Sequence, residues 1–140
     1  MPFPGNRWRP EKLISLQQIL DMIELESGKL EKLDDGPHDT TRKYRIPGGR
    51  GTVAVISTMS APFCDGCNRL RLTADGKMRN CLFSKTETDL LGPYRNGDDI
   101  IPFIHQCLQG KHRQLGGNSG PEWGLHETEE QRRTMMGIGG

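Results

Sequence analysis

The sequence predicts an α+β fold, with short antiparallel hairpins and helices arranged around a metal site. Three observations predict it. A helical apolar period near the start gives way to β-branched, turn-punctuated segments and then returns. Glycine and proline number 18 and 9 against a hydrophobic fraction of 33%, so loops take up much of the chain and a bound group would supplement a small core. Three of the four cysteines also fall in one stretch, Cys64 to Phe83, with the spacing C-x2-C-x13-C.

Taken in order, Pro10 to Glu26 reads as one amphipathic helix. Leu13, Leu16, Leu20 and Ile23 recur at three- and four-residue intervals, Pro10 suits the first turn, and Gly28 is a stop signal. Residues 29–43 are charged and turn-rich and read as a solvated connection. Tyr44–Ile46 and Thr52–Thr58 are strand candidates joined through Pro47-Gly48-Gly49-Arg50-Gly51. The cysteine knuckle follows, and Leu70–Thr73 and Lys77–Leu82 form the next hairpin. Thr86–Tyr94 reads as a short helix, and Asp98 and Asp99 can cap a longer one bearing Ile100, Ile101, Phe103, Ile104 and Leu108. From Gly110 the chain is polar and glycine-rich, a tail expected to be mobile unless something holds it. The expected organisation is 1–28, 29–109 and 110–140.

Charge excludes one class. Nineteen Lys+Arg against 18 Asp+Glu leave a formal net charge of +1, which argues against DNA or RNA binding by general electrostatics. No apolar run approaches the ~20 residues of a membrane-spanning helix, and no charged-then-apolar leader opens the chain. A CxxC in such a chain is more often a metal or redox site than half of a disulfide framework.

Hairpin geometry tests the cysteine spacing. A two-residue turn at Asp75-Gly76 would pair Ala74 with Lys77 and Leu70 with Cys81. A three-residue loop, Ala74-Asp75-Gly76 with Gly76 left-handed, pairs Thr73 with Lys77 and Arg69 with Cys81. Only the second register sets Cys81, Arg69 and Arg71 on one side of the hairpin, and it is the register preferred here. Three thiolates with an open fourth position suit an iron–sulfur cluster, whereas structural zinc takes four protein ligands. A histidine (His38, His105, His112 or His126) could complete a zinc site, although none stands at a knuckle spacing; on spacing alone the two metals are level. Cys107, among Phe103, Ile104 and Leu108, reads as core. Alternate arginines are usually a solvated face, but beside a cluster Arg69 and Arg71 make a cradle for phosphate.

The run Ser60-x-Pro62-Phe63-Cys64-x-x-Cys67-Asn68-Arg69-Leu70-Arg71-Leu72-Thr73-Ala74-Asp75-Gly76-Lys77, followed by Cys81-Leu82-Phe83, resembles the C-terminal cluster motif of the molybdenum cofactor biosynthesis protein A family, the radical S-adenosylmethionine GTP 3',8-cyclases. Met1-Pro2-Phe3-x-Gly5-Asn6-x-Trp8 resembles the end of that family's last barrel strand and the loop after it. Arg133-x-Met135-x-x-Ile138-Gly139-Gly140 resembles its terminal double-glycine tail.

The resemblance implies that residues 1–28 end a partial (βα) radical-SAM barrel and that a cluster-binding domain follows. It implies that Cys64, Cys67 and Cys81 ligate a 4Fe-4S cluster whose open iron meets GTP. Arg69, Leu70 and Arg71 would bind GTP, Gly139 and Gly140 would reach the active site, and Met1 would lie near S-adenosylmethionine. The reaction implied converts GTP to (8S)-3',8-cyclo-7,8-dihydroguanosine 5'-triphosphate in molybdopterin synthesis. No cysteine precedes Cys64, so the family's N-terminal CxxxCxxC, which holds the second 4Fe-4S cluster, is missing from this sequence. The expectation is a C-terminal portion, inactive without its N-terminal barrel portion. The implied partners are that portion, a second copy in a homodimer, and the downstream cyclic pyranopterin monophosphate synthase. The implied location is the cytoplasm of a bacterium or the mitochondrial matrix of a eukaryote. A small zinc-binding interaction module is the alternative.

Overall fold

A computed structural model describes residues 8–118 together with 133, 134 and 137, and its architecture is α+β. Glu11–Asn68 form one compact unit, and the described residues up to Pro10 and from Arg69 onward form the other.

The first unit holds helix α1 (Leu16–Ser27) and an antiparallel sheet, β1 (Glu31–Lys32), β2 (Arg42–Arg45) and β3 (Thr52–Val55), in that spatial order. The expected helix from Pro10 is shorter than its apolar period. Pro10–Lys12 make a separate 3-10 turn, and α1 begins only after Ser15. The reason is a capping box: the Gln18 N–H donates to Ser15 Oγ at 3.2 Å, and the Ser15 N–H donates to Gln18 Oε1 at 2.8 Å. Leu13 therefore falls outside the helix and is exposed. Gly28 does end it, at φ +82.

Residues 29–43 contain more structure than a solvated connection. Glu31 pairs with Arg45 and Lys32 with Tyr44, because Tyr44 on β2 is buried and Lys32 lies across its ring, 5.2 Å from the centroid. β2 and β3 form the expected hairpin in the register Tyr44↔Val53. Leu30, Tyr44 and Val55 are this unit's buried apolar side chains.

The second unit holds β4 (Arg71–Leu72), β5 (Lys77–Arg79) and β6 (Thr88–Asp89), an antiparallel sheet in that order, with helices α2 (Leu91–Asn96) and α3 (Ile101–Gln109). The region read as a helix from Thr86 starts instead as a strand. Met78 pairs with Thr88, and α2 begins only at Leu91, where the Gly76 carbonyl accepts the Leu90 and Leu91 N–H groups at 3.0 and 3.1 Å. The N-cap of α3 is Ile100, with no side-chain cap, and Asp99 Oδ1 accepts the Ile101 N–H at 3.0 Å from one residue before it. α3 packs on β5 and β6 over a core of Met78, Phe83 and Cys107. Cys107 is core, as the sequence indicates, with its thiol donating to the Met78 carbonyl at 3.7 Å. No helix of the described residues is long and apolar enough to cross a membrane.

Candidate functional site

The knuckle is built in the first unit. Cys64–Gly66 form a 3-10 turn, closed by the Cys67 N–H donating to the Cys64 carbonyl at 3.0 Å. Cys64 and Cys67 stand at either end of it, both half-buried. A second turn braces this one. The Gly66 carbonyl lies 2.6 Å from His38 Nδ1, and a Cβ on Gly66 would overlap the Pro37 carbonyl oxygen. Only glycine fits at position 66 of this CxxC. Upstream, the segment entering the knuckle is held by Ser57 Oγ donating to the Ala61 carbonyl at 3.2 Å and by Ser60 Oγ accepting the Leu16 N–H at 2.9 Å.

The second unit carries Arg69, Leu70, Arg71 and Cys81. Its hairpin adopts the three-residue register: the Thr73 N–H donates to the Lys77 carbonyl at 2.9 Å, and Arg71 pairs with Arg79. Gly76 has φ +74, the left-handed conformation that loop requires. The Thr73 hydroxyl accepts the Lys77 N–H at 3.0 Å and donates to Asp75 Oδ1 at 2.6 Å, which fixes the tip. Arg71 and Arg79 therefore share a face, and Cys81 follows Arg79 by two residues. Arg69 and Leu70 are exposed, whereas Arg71 and Cys81 are half-buried. Lys111 Nζ donates to the Arg69 carbonyl at 3.1 Å. Met1, Gly139 and Gly140 lie outside the described residues.

An ionic cluster that sequence reasoning missed lies beside these arginines. Arg79 is buried and donates through Nη1 to Glu87 Oε1 at 2.8 Å, and through Nη2 to the Ser84 carbonyl. Arg133 reaches the same carboxylate, with Nε 2.7 Å from Oε1 and Nη2 2.8 Å from Oε2. The other edge of its guanidinium takes Asp75, with Nη2 2.6 Å from Oδ2 and Nη1 3.1 Å from Oδ1. These bonds hold the Asp75 carboxyl well below the usual carboxylate range, Arg133 first and the Thr73 hydroxyl second, and they raise Arg133. Lys77 Nζ stands 3.9 Å from Glu87 and 4.0 Å from Asp75. The period-two spacing of Lys77 and Arg79 was a weak signal for one charged face. Nothing local pointed to Glu87, and Arg133 stood out only as the first residue of the tail motif, with no partner implied.

Among the described residues, no group of three or more His, Cys, Asp or Glu side chains is gathered as a metal-ion site. Three thiolates are donors that an iron–sulfur cluster takes and that zinc takes with a fourth ligand. Cys64 and Cys67 are set by a formed turn, and His38 Nδ1 is engaged with the Gly66 carbonyl.

Comparison with known proteins agrees with the cysteine motif. The profile of one family, Molybdenum Cofactor Synthesis C, matches residues 1–116. The mitochondrial GTP 3',8-cyclase of Arabidopsis thaliana is 39% identical over 140 residues, covering 100% of this chain and 35% of that protein. The GTP 3',8-cyclase of Peptoclostridium acidaminophilum is 39% identical over 143 residues, 100% of this chain and 40% of that protein. Molybdenum cofactor biosynthesis protein 1 of Bos taurus is 39% identical over 120 residues, 84% of this chain and 19% of that protein. The chain thus spans well under half the length of each of these relatives. With the profile covering most of its residues, the chain belongs to the Molybdenum Cofactor Synthesis C family.

Proposed function

We propose that this chain is the GTP- and cluster-binding portion of a GTP 3',8-cyclase, acting in molybdenum cofactor biosynthesis. The observation that carries the reading is the C-x2-C-x13-C set, with its knuckle formed and its hairpin in the three-residue register, in a chain of this family. Cys64, Cys67 and Cys81 would hold a 4Fe-4S cluster. When bound, that cluster supplies an iron with an open coordination position for the substrate. Arg71, on the face shared with Arg79, and Arg69 before it would take the triphosphate, where planar guanidinium groups suit anionic oxygens. Leu70 lies between them, and Gly139 and Gly140 would close on the nucleotide with side-chain-free backbone. S-adenosylmethionine, a second 4Fe-4S cluster and the barrel that binds them belong to the remainder of the enzyme, with Met1 at its edge. The chain by itself would bind but not cyclise. A homodimer and a downstream cyclic pyranopterin monophosphate synthase are the partners this reading implies.

Anaerobic purification tests the reading. Brown protein with iron and acid-labile sulfide at about four each per chain supports it. Colourless protein with stoichiometric zinc would sink it in favour of a zinc-binding interaction module. Addition of GTP should perturb the electron paramagnetic resonance spectrum of the reduced cluster, and Arg71→Ala should abolish that change.

A further inference from the structure

Arg133 stands far along the chain from the hairpin it touches, beyond the polar stretch expected to be mobile. It nevertheless makes ionic contacts to two carboxylates, Asp75 and Glu87. One edge of its guanidinium is bidentate to Asp75 at the hairpin tip, and the other is bidentate to Glu87 just before β6. Glu87 keeps only 15% of its side chain exposed and also receives the buried Arg79. Two-edged, planar recognition of two carboxylates is a geometry that arginine can supply and lysine cannot. Thr134 and Arg133 also bond to Gly137. The Gly137 N–H donates to the Thr134 carbonyl at 3.0 Å, and the Gly137 carbonyl accepts from Arg133 Nη1 at 3.5 Å.

We propose that Arg133 is a positioning residue that fastens the C-terminal segment to the tip of the β4–β5 hairpin through Asp75 and Glu87. Seven residues follow Arg133, a reach of roughly 25 Å when fully extended. Asp75 lies four residues from Arg71, roughly 13 Å along a strand. The anchor thus sets the hairpin tip as the starting point of the seven residues that follow it, as a short tether does. The anchor itself does not depend on the nucleotide reading. Its use, bringing Gly139 and Gly140 to bound GTP, rests on that reading.

Amide hydrogen exchange on the full chain tests the anchor, read at Gly137 and, as an internal reference, at Thr73. In Arg133→Ala, Gly137 should exchange about fivefold faster while Thr73 is unchanged. Asp75→Asn should reproduce part of that loss, and Arg133→Lys should recover little of the protection, having no fork. Raised salt should speed Gly137 exchange in the natural chain but not in Arg133→Ala. Equal Gly137 exchange in the natural chain and Arg133→Ala overturns the anchor. Titration with GTP then tests its use. A loss of affinity of about fivefold in Arg133→Ala supports positioning, whereas unchanged affinity overturns it. Failure of both proteins to bind GTP refutes the nucleotide reading and the anchor's use with it, and leaves the exchange result to decide the anchor alone.

Discussion

Replacing Gly76 with alanine should be among the costliest single-methyl additions in this chain, and its size can be divided into two parts. Gly76 sits at φ +74, where any L-residue loses about 1–2 kcal/mol to contact between its Cβ and the following carbonyl. Its added methyl would also overlap Leu91 Cβ, an atom that no rotamer can withdraw. Relieving that overlap requires the hairpin tip and the start of α2 to part, against the bonds from Leu90 and Leu91 to the Gly76 carbonyl. Overpacking of this kind costs about 1–3 kcal/mol, so the total is about 3 kcal/mol. Gly97 is the internal control. It has φ +83, but a methyl there meets nothing within 4 Å, so Gly97→Ala should show the conformational part alone, about 1–2 kcal/mol. Urea unfolding of the two variants in parallel, at unchanged m, measures the difference. If Gly76→Ala falls within about 0.5 kcal/mol of Gly97→Ala, the overlap argument is wrong and the tip is free to move off α2.

Other outcomes follow from the same contacts. Glu87→Ala strands the buried Arg79 guanidinium and should cost about 2–3 kcal/mol in urea unfolding, less than a fully buried pair because Glu87 is partly exposed. Arg79→Met in that background should recover part of the loss. Ser15→Ala removes one half of the capping box and should cost about 1 kcal/mol, with faster amide exchange confined to the first turn of α1. The Asp75 carboxyl is depressed by Arg133, so the stability it contributes is fully present above the unfolded value of about 3.9 and is lost as pH falls toward the folded value. Gly137 protection should therefore be flat from pH 7 to pH 5 after correction for intrinsic exchange, and decline in strong acid. An Asp75→Asn chain should lack that component.

What could be read from the sequence was local. The hairpin register followed from one glycine and the period-two rule, because a left-handed residue at Gly76 is compatible with only one loop length that keeps Cys81 and Arg71 on a side. The end of α1 and the burial of Cys107 were legible for the same reason: each depends on a few neighbouring residues. The start of α1 was misplaced because a proline and an apolar period compete with a capping box, and the box makes two hydrogen bonds where the proline only tolerates a position. β1 and β6 were missed because each is two residues long and exists only by pairing with a partner distant in sequence. Glu87 and Arg133 illustrate the limit for charges. Their role lies in a fold contact 46 residues apart, and no spacing rule connects them.

The brace on the knuckle bears on how a metal centre would be loaded. A flexible CxxC must first be frozen, and each residue ordered on binding takes back part of the metal–sulfur bond energy. Here the turn is already closed by its own Cys67-to-Cys64 hydrogen bond, and the Pro37–His38 backbone lies against Gly66 so tightly that the loop has nowhere to swing. The two cysteines of the knuckle are thus preorganised before anything binds them. If the knuckle binds a metal, a substitution at Gly66 should slow uptake while leaving both of its cysteines in the sequence.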